Sequence, residues 1–396
     1  MRLAGLLALA AVASGCHTTF LGDQRFLERY TETIVLSDRE GQAQVAVCPA
    51  LQGRVMTSTA TGPGGASYGW INYDLVASGA TRPQINPYGG EDRFWLGPEG
   101  GPYSLFFKKG EPQDLRHWQT PAPIDSMPFQ VHERSEEEVS LRAWMVLTNA
   151  SGTRFELEVR RDIRLLRHSR VWAMLEMPPR DDVRLVAFES RNEVFNRGPK
   201  PWSKAEGLTS IWILGMFGAT PATTVVLPLR PGAGPAVNDA YFGRVPADRL
   251  VVRPHAVFFK GDGQHRSKIG VGPDRARPTL GSWDAQGNVL TLVQYTLPGT
   301  GPYVNSLWNL DQDPYAGDVV NSYNDGPPAP GEHGLGAFYE LESSSPGLML
   351  APGKSAVHVH RTIHLEGTRD ALDQIARRHL QVGLDDIEQA FAGPPR

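Results

Sequence analysis

The chain has 396 residues and a net charge of only -4 at pH 7, with no stripe of lysine and arginine. This balance argues against nucleic acid as a partner. Hydrophobic residues make up 40% of the chain, so a core can form, and two cysteines are too few for a framework of disulfides to replace it. We therefore expect a globular protein held together by its core.

The first sixteen residues resemble a bacterial lipoprotein signal. A positively charged start precedes an apolar run at 3–12, and residues 13–15 are small, as the peptidase requires before Cys16. The run is too short to cross a bilayer core of ~30 Å. The resemblance implies that residues 1–15 are removed and that Cys16 carries lipid as the only membrane attachment. His17 stands where an aspartate usually retains a lipoprotein in the inner membrane, so we predict the outer membrane, facing the periplasm. The alternative is an ordinary signal peptide with a chance cysteine.

Residues 16–30 are predicted to be the lipidated N-terminus and a tether, with a short helix at 24–30. Beyond them no linker long enough to separate domains is found, since the stretch rich in proline and glycine at 327–336 is too short. We therefore predict that residues 31–396 form one domain, although length alone would suggest two.

Short β-rich segments, separated by many of the 42 glycines and 32 prolines, make up most of this domain. At 155–161 apolar and charged residues alternate, as in an antiparallel sheet with one face in water. Many strands without a linker predict an all-β fold, a large antiparallel two-sheet sandwich with short terminal helices. The predicted strands include 43–47, 104–107, 139–148, 155–166, 185–194, 223–227, 256–260, 289–295, 338–343 and 356–365.

The densest group of unusual residues lies at 88–101. Glycines there bracket charged and aromatic residues: Glu91, Asp92, Arg93, Trp95 and Glu99. Such a backbone turns tightly and presents charges beside an aromatic face. Sugars need this mixture, because their hydroxyl groups take polar partners and their C–H faces stack on aromatic rings. The alternative is a glycine-rich hairpin in which a buried Arg/Glu pair supports a core tryptophan. Our candidate ligand contacts are Arg93, Trp95, Glu99 and, farther along, Trp118.

A second polar segment, 308–328, carries several aspartates and asparagines. Asp311 and Asp313 are spaced closely enough to hold Ca²⁺, but the segment departs from the EF-hand spacing and lacks the glutamate that closes that loop. Turns stabilised by Asp and Asn side chains explain the same composition, and we favour them. Asp325, near the end of the segment, joins the candidate ligand contacts.

Two segments near the C-terminus place polar residues on shared strand faces. With a period of two, Glu340 and Glu342 share a face of one strand, and His358, His360 and His364 share a face of the next. Such faces suit a zinc site or an acid/base pair, although alternating polar residues are most often the wet face of a strand. We favour a carboxylate pair over a metal, since each glutamate would raise the pKa of the other.

The chain ends in predicted helices. Thr368 is suited to N-cap a helix that runs to Leu380, and Gly383 is suited to stop it. A second short helix is predicted at 385–391.

The last strands resemble the end of galactose mutarotase-like proteins. Leu341-Glu342 and the turn Leu350-Ala-Pro-Gly-Lys are similar to the Leu-Glu that carries the family's catalytic base and to the turn that follows it. Segment 192–198 resembles the family's Asn-x-Gly turn, and Glu91-Asp-Arg93 resembles its sugar-contacting Asn-Arg pair. The resemblance implies a β-supersandwich with Glu342 as the base. More closely, the chain resembles a family of uncharacterised bacterial lipoproteins with the same Gly-Gly-Glu-Asp-Arg-Phe-Trp-Leu-Gly-Pro-Glu and Ser-Tyr-Asn-Asp-Gly-Pro runs.

One departure from the mutarotases bears on activity. They place a general-acid histidine in a Thr-Asn-His segment, whereas 208–212 reads Leu-Thr-Ser-Ile-Trp. Epimerisation needs an acid and a base, each worth ~10²–10⁴-fold in rate. Glu340, His360 or His117 would have to supply the acid.

Three hypotheses follow from the sequence. The leading one is a lipid-anchored protein that binds carbohydrate in a cleft lined by the candidate contacts and by Glu340 and Glu342. The second is a carbohydrate-active enzyme, an epimerase or a glycoside-cleaving enzyme, with Glu342 as base. The third is a non-enzymatic envelope protein that grips another protein through its aromatic loops.

Overall fold

The computed structural model of the chain describes residues 18–299, 301–329 and 331–393. The predicted signal peptide, residues 1–15, and Cys16 lie outside the described residues. Within the described ranges, no helix is both long and apolar enough to span a bilayer.

Strands are the main regular structure of the described residues. They are β1 (Ile34–Ser37), β2 (Gln44–Cys48), β3 (Arg54–Thr59), β4 (Arg93–Gly97), β5 (Gln130–Arg134), β6 (Glu138–Thr148), β7 (Arg154–Leu165), β8 (Val183–Asn196), β9 (Ser210–Gly218), β10 (Thr223–Pro228), β11 (Leu250–Val252), β12 (Ala256–Lys260), β13 (Ser267–Val271), β14 (Thr279–Asp284), β15 (Val289–Tyr295), β16 (Val320–Asn324), β17 (Phe338–Ser344) and β18 (Ser355–Gly367). The α-helices are α1 (Phe20–Tyr30), α2 (Tyr73–Ser78), α3 (Ala122–Asp125), α4 (His168–Leu175), α5 (Arg369–Leu380) and α6 (Leu384–Glu388), and a 3₁₀ turn spans Pro49–Leu51.

The strands form three sheets, and the strand pairs within them are antiparallel. A ten-stranded sheet has the order β11-β12-β10-β14-β15-β18-β8-β7-β6-β5, and a five-stranded sheet has the order β13-β16-β17-β9-β4. The third sheet is the small meander β1-β2-β3. The predicted all-β class, with large antiparallel sheets and short helices, is confirmed.

The two large sheets pack face to face, as the alternation of apolar residues requires. Val225 and Phe259 of the ten-stranded sheet belong to the same buried cluster as Ile269 and Leu341 of the five-stranded sheet. Helices α4, α5 and α6 cover part of the outer face of the ten-stranded sheet. Loop residues such as Glu99, Trp118 and Trp308 surround the outer face of the five-stranded sheet.

Helix α5 agrees with the sequence-based prediction, whereas α1 is longer than the predicted helix. Thr368 caps α5 through its hydroxyl, which accepts from the backbone N–H of Ala371, and the helix ends at Leu380 as predicted. At the other end, α1 is longer than the predicted helix and its Phe20 and Leu27 are fully buried. Residues 18–30, expected to be part of a tether, therefore belong to the folded domain.

One predicted strand is absent from the structure, and β4 and β9 were not among the predicted strands. Residues 104–107 are not a strand, because the Ser104 hydroxyl accepts from the backbone N–H groups of Phe106 at 2.9 Å and Phe107 at 3.2 Å and so holds a turn. Conversely, the glycine-rich segment 88–101, expected to turn tightly, contains the buried strand β4. The apolar run at Ser210–Gly218 forms the strand β9.

A buried ion pair ties the two large sheets together. Asp92, directly before β4, accepts from Arg161 of β7 at 2.6 Å and from the Ser190 hydroxyl of β8 at 2.6 Å. Arg161 and Asp92 are both fully buried, and Arg161 also donates to Asn192 at 2.7 Å. Each charge is acceptable inside the protein only because its partners are in place.

We expect the substitution Asp92→Ala to lower the free energy of unfolding by ~3–5 kcal/mol, because it leaves a buried guanidinium unpaired. The measurement is urea unfolding followed by circular dichroism. As a control, Asp385→Ala removes the exposed partner of Arg369, a pair at 2.5 Å, and should change stability little. Similar losses in the two variants would contradict the role given to Asp92.

Candidate functional site

The outer face of the five-stranded sheet is the floor of a cavity of about 200 Å³. The strand register puts the floor residues on one face: Arg93 lies opposite Leu214, Trp95 opposite Trp212, and Tyr323 opposite both Lys268 and Glu340. Loops supply the walls. The side chains that line the cavity include Gln84, Arg93, Trp95, Glu99, Leu115, Trp118, Trp212, Phe242, Arg266, Lys268, Trp308, Tyr323, Asp325, Leu335 and Glu340.

The structure brings almost all of the predicted site residues together. Those that line the cavity are Arg93, Trp95, Glu99, Trp118, Asp325 and Glu340. They come from segments more than 200 residues apart in the sequence: Arg93 donates to Glu340 across a separation of 247 residues. Glu342 is the exception, because it lies beneath the lining and not on it.

Two buried ion pairs form the polar centre of the floor. Arg93 Nη2 lies 2.9 Å from Glu340 Oε1, and Lys268 Nζ lies 3.0 Å from Glu342 Oε2. The indole N–H of Trp212 also donates to Glu342 Oε2, at 2.9 Å. These contacts fix the positions of the charged groups before any ligand binds.

The aromatic rings of the floor lie under the cations. The Arg93 guanidinium carbon is 4.1 Å from the centre of the Trp95 ring, and Lys268 Nζ is 4.5 Å from the Trp212 ring. Cation–π contacts of this kind strengthen where water is excluded. They orient the cations and hold the two indoles at the base of the cavity.

The Glu340 carboxyl favours its protonated form. Burial raises the pKa of Glu340 to about 8, Arg93 opposes the shift, and both the charge of Glu342 and a hydrogen bond with it add to the rise. Burial also raises the pKa of Glu99, although Lys268 opposes that shift. Glu340 can therefore act as a hydrogen-bond donor near neutral pH.

The sequence predicts Glu342 as a catalytic base, which would have to reach a ligand in the cavity, but Glu342 does not line the cavity. Its side chain is fully buried, and its Oε2 atom is already shared by Lys268 and Trp212. The carboxyl group of Glu340 is its other polar neighbour. A ligand in the cavity meets Glu340 first.

Tryptophans dominate the walls. The ring of Trp118 lies 6.5 Å from that of Trp95 and 6.3 Å from that of Trp308, the second pair being nearly parallel. The indole N–H groups of Trp95 and Trp118 find no hydrogen-bond partner among the described residues. Arg266 lies 3.8 Å from the centre of the Phe242 ring, which in turn packs edge-on against Trp308. Both indole nitrogen atoms are buried among these aromatic rings.

Asp325 shapes the wall as well as lining it. One carboxylate oxygen accepts from the Tyr323 hydroxyl at 2.7 Å, and the other accepts from the backbone N–H of Gly336 at 2.8 Å. The same residue thus holds both ends of the loop that begins after β16. Because both oxygens are engaged, we assign Asp325 to the support of the cavity more than to ligand contact.

The histidines lie on the other side of the five-stranded sheet, between the two large sheets. His358 Nε2 and His360 Nδ1 each lie 2.8 Å from the Ser343 hydroxyl, and His364 Nε2 lies 2.8 Å from Glu91. Burial lowers the pKa of His358 to about 3 and that of His360 to about 4, so both are neutral. His360 is therefore not placed to act as the acid in the cavity.

The remaining metal and acid candidates do not line the cavity. His117 lies 2.7 Å from Asp114 and is not part of the cavity lining. Asp313 accepts from the backbone N–H of Tyr315 at 2.8 Å, and Asn309 accepts from that of Asp311 at 2.9 Å, as in Asx turns. Across the described ranges, no cluster of three or more His, Cys, Asp and Glu side chains is arranged to hold a metal.

Comparison with known proteins gives a family and a fold. The profile described as "Family of unknown function (DUF6786)" matches residues 18–391. The chain belongs to this family. No curated protein matches it.

Solved structures of similar fold come from several bacteria. The Slr1438 protein of Synechocystis sp. PCC 6803 has a TM-score of 0.50 and 12% identity, over 85% of this chain and 96% of that one. A galactose mutarotase-like protein from Lactobacillus casei ATCC 334 has a TM-score of 0.49 and 11% identity, over 85% and 100%. A galactose mutarotase related enzyme from Lactobacillus acidophilus has a TM-score of 0.43 and 9% identity, over 85% and 97%. At such identities the likeness concerns the fold alone.

Sequence reasoning missed several lining residues of this DUF6786 chain. Lys268 and Trp212 are central to the floor, yet each stands in a strand that was not predicted. A lysine within the short run of β13 carries no signal of burial until its partner, 74 residues away, is known. Trp212 was visible as an aromatic residue in an apolar run, which is the signal of a fully buried strand.

The raised pKa of Glu340 gives a prediction for stability. The folded state holds the proton of Glu340 more tightly than the unfolded chain, so this group stabilises the fold below the ordinary pKa of 4.5 and loses that contribution as pH rises to about 8. As pH rises between these values, we expect the free energy of unfolding of the native protein to fall relative to that of Glu340→Gln, whose side chain cannot titrate. Urea unfolding at a series of pH values measures the difference. Parallel curves for the two proteins would contradict the assignment.

Proposed function

We propose that this protein binds carbohydrate in the cavity on the outer face of the five-stranded sheet. The observation that carries the proposal is the combination of a buried polar floor, Arg93 with Glu340, and tryptophan walls that include Trp95 and Trp118. Sugars offer hydroxyl groups to polar partners and C–H faces to aromatic rings, so this combination suits them.

The hydrogen-bonding groups favour a neutral, hydroxyl-rich ligand. Arg93 and Lys268 already donate to the carboxyl groups of Glu340 and Glu342, so a charged ligand group would have to compete with these contacts. A hydroxyl group needs no such exchange, because it donates and accepts hydrogen bonds without carrying a charge. The resemblance of Leu341-Glu342 to the sugar-handling end of mutarotase-like proteins supports the same ligand class.

Carbohydrate chemistry is the second candidate function, and one observation favours it. A Glu340 carboxyl with a pKa of about 8 is protonated at neutral pH, as a general acid must be. An epimerase or a glycoside-cleaving enzyme would also need a base with access to the ligand, and Glu342 is covered by Lys268 and Trp212. Binding without chemistry is therefore the better supported reading. A concave cavity also favours a small ligand over the flat apolar patch of a protein-binding module.

We expect Trp118→Ala to weaken saccharide binding by at least about tenfold, a loss of ~1.4 kcal/mol, because it removes a ring from the wall. Isothermal calorimetry with sugars first found on a glycan array is the measurement. Trp144→Ala is the matched control, since Trp144 is 61% exposed and lies on β6, outside the cavity. Absence of binding to any saccharide by the folded native protein would remove the proposal.

We also propose that the protein is a lipoprotein attached to the outer membrane and facing the periplasm. The support is the signal-like pattern of residues 1–16, with small residues before Cys16 and His17 after it. Several acyl chains on one residue give stable attachment, because each buried CH₂ contributes ~0.8 kcal/mol.

We expect Cys16→Ser to abolish incorporation of labelled palmitate in the expressing bacterium and to release the protein from the membrane fraction. The matched control is Cys48→Ala, which removes the chain's other cysteine, a buried thiol in β2. Labelling that persists without Cys16, or that depends on Cys48, would contradict lipid attachment at this position.

A further inference from the structure

The cavity adjoins a larger groove on the protein surface. This groove has a volume of about 940 Å³ and runs along residues 83–84 and 108–119. Gln84, Leu115 and Trp118 belong to the lining of both. The Gln84 side-chain amide donates to the backbone carbonyl of Leu115 at 2.6 Å, so this common rim is held in place.

The cavity is closed at one end and open at the other. Its floor residues Trp95, Trp212 and Glu340 are buried on the five-stranded sheet, and the ten-stranded sheet lies behind them. At the mouth, Leu115 is 41% exposed and Leu335 is 42% exposed. A ligand that enters is stopped at the floor, and any part of it that does not fit must leave over the rim.

The groove continues beyond the rim. A further depression of about 410 Å³ shares Lys108, His117 and Gln119 with it. Polar groups of both signs line the groove, among them Lys108, Glu111 and Arg116. Such a surface suits a chain of hydroxyl-rich units, whereas a polymer of one charge would meet like charges along it.

We propose that the ligand is a linear oligosaccharide bound by one end, with its terminal sugar in the cavity and the next units in the groove. The inference rests on the proposed function. At about 200 Å³ the cavity is smaller than the ~300–1,000 Å³ that enclose drug-sized ligands, so it takes one sugar unit and leaves the others outside. The groove has several times that volume for the units that follow.

The first test is a series of oligosaccharides of increasing length, measured by calorimetry on the full chain. The probes are single sugars and linear chains of two to six units of β-1,4-linked glucose, xylose, mannose and N-acetylglucosamine and of α-1,4-linked glucose, with cyclodextrins as chains that have no end. We expect affinity to rise by at least about tenfold from one unit to three in a series that binds, and cyclodextrins not to bind.

The outcomes separate the two proposals. A single sugar that binds as tightly as its longer chains, or a cyclodextrin that binds as tightly as the linear chain, would overturn end-on binding and leave carbohydrate binding standing. If none of these probes binds, both proposals fail together for these sugars, and the glycan array then decides whether the broader one survives.

A pair of double variants tests the groove directly. Lys108→Ala with Arg116→Ala removes two exposed groove side chains, and Arg134→Ala with Lys354→Ala removes two exposed residues that line neither cavity nor groove. We expect the first pair to lower affinity for the longest chain at least about threefold, with the single sugar unaffected, and the second pair to change neither. Equal effects on long and short ligands, or none on the long chain, would rule the groove out as the path of the ligand.

Discussion

The floor of the cavity holds charged and polar side chains away from water, and each is tolerated only because a hydrogen-bonding partner touches it. Lys268 and Glu342 are almost completely buried, as are Arg93 and Glu340. Removing such ions from water costs several kcal/mol apiece unless geometry and hydrogen bonds compensate. The pairing therefore determines where the polar groups of the floor lie, and it holds the cations against the rings of Trp95 and Trp212. Because the ion pairs exist without a ligand, the cavity is ordered in advance, which lowers the entropic cost of binding.

The same strands serve the core and the cavity through alternation. On β17, Leu341 and Ser343 point to the interior between the sheets, while Glu340 and Glu342 point to the outer face. A shift of one residue in register would exchange these faces and place carboxylates in the core. The Asp92 pair with Arg161 opposes such a shift at β4, which is separated from β17 by β9, because it locks β4 to the ten-stranded sheet.

Sequence periodicity was sufficient for the long strands and for α5, and it failed where the polypeptide is buried on both faces. The alternation at 155–161 is strong because one face of β7 is apolar and the other carries charged side chains, whereas β9 is buried along nearly its whole length and has the sequence of a plain apolar run. The serine at 104 holds a turn by hydrogen bonding to the backbone, a choice that composition does not reveal.

The candidate site was predicted in part for a similar reason. Arg93, Trp95 and Glu99 stand out in a glycine-rich segment, because charge and aromatic character there are unusual on a tight backbone. What the sequence cannot supply is the pairing across the sheet. The partner of Glu342 proved to be Lys268, and that contact decides whether the carboxylate faces a ligand or is covered.

That contact also bears on why binding is favoured over catalysis. For Glu342 to accept a proton from a sugar, Lys268 would have to leave it, and breaking a buried ion pair costs ~3–5 kcal/mol. A cost of that size lowers a rate by roughly two to four powers of ten, since each ~1.36 kcal/mol is a factor of ten. This loss in rate is about as large as the gain in rate that a general base provides, which is ~10²–10⁴-fold. Binding would bear no such cost, because the Lys268–Glu342 pair can stay closed while a ligand contacts Glu340 and Arg93 in the cavity.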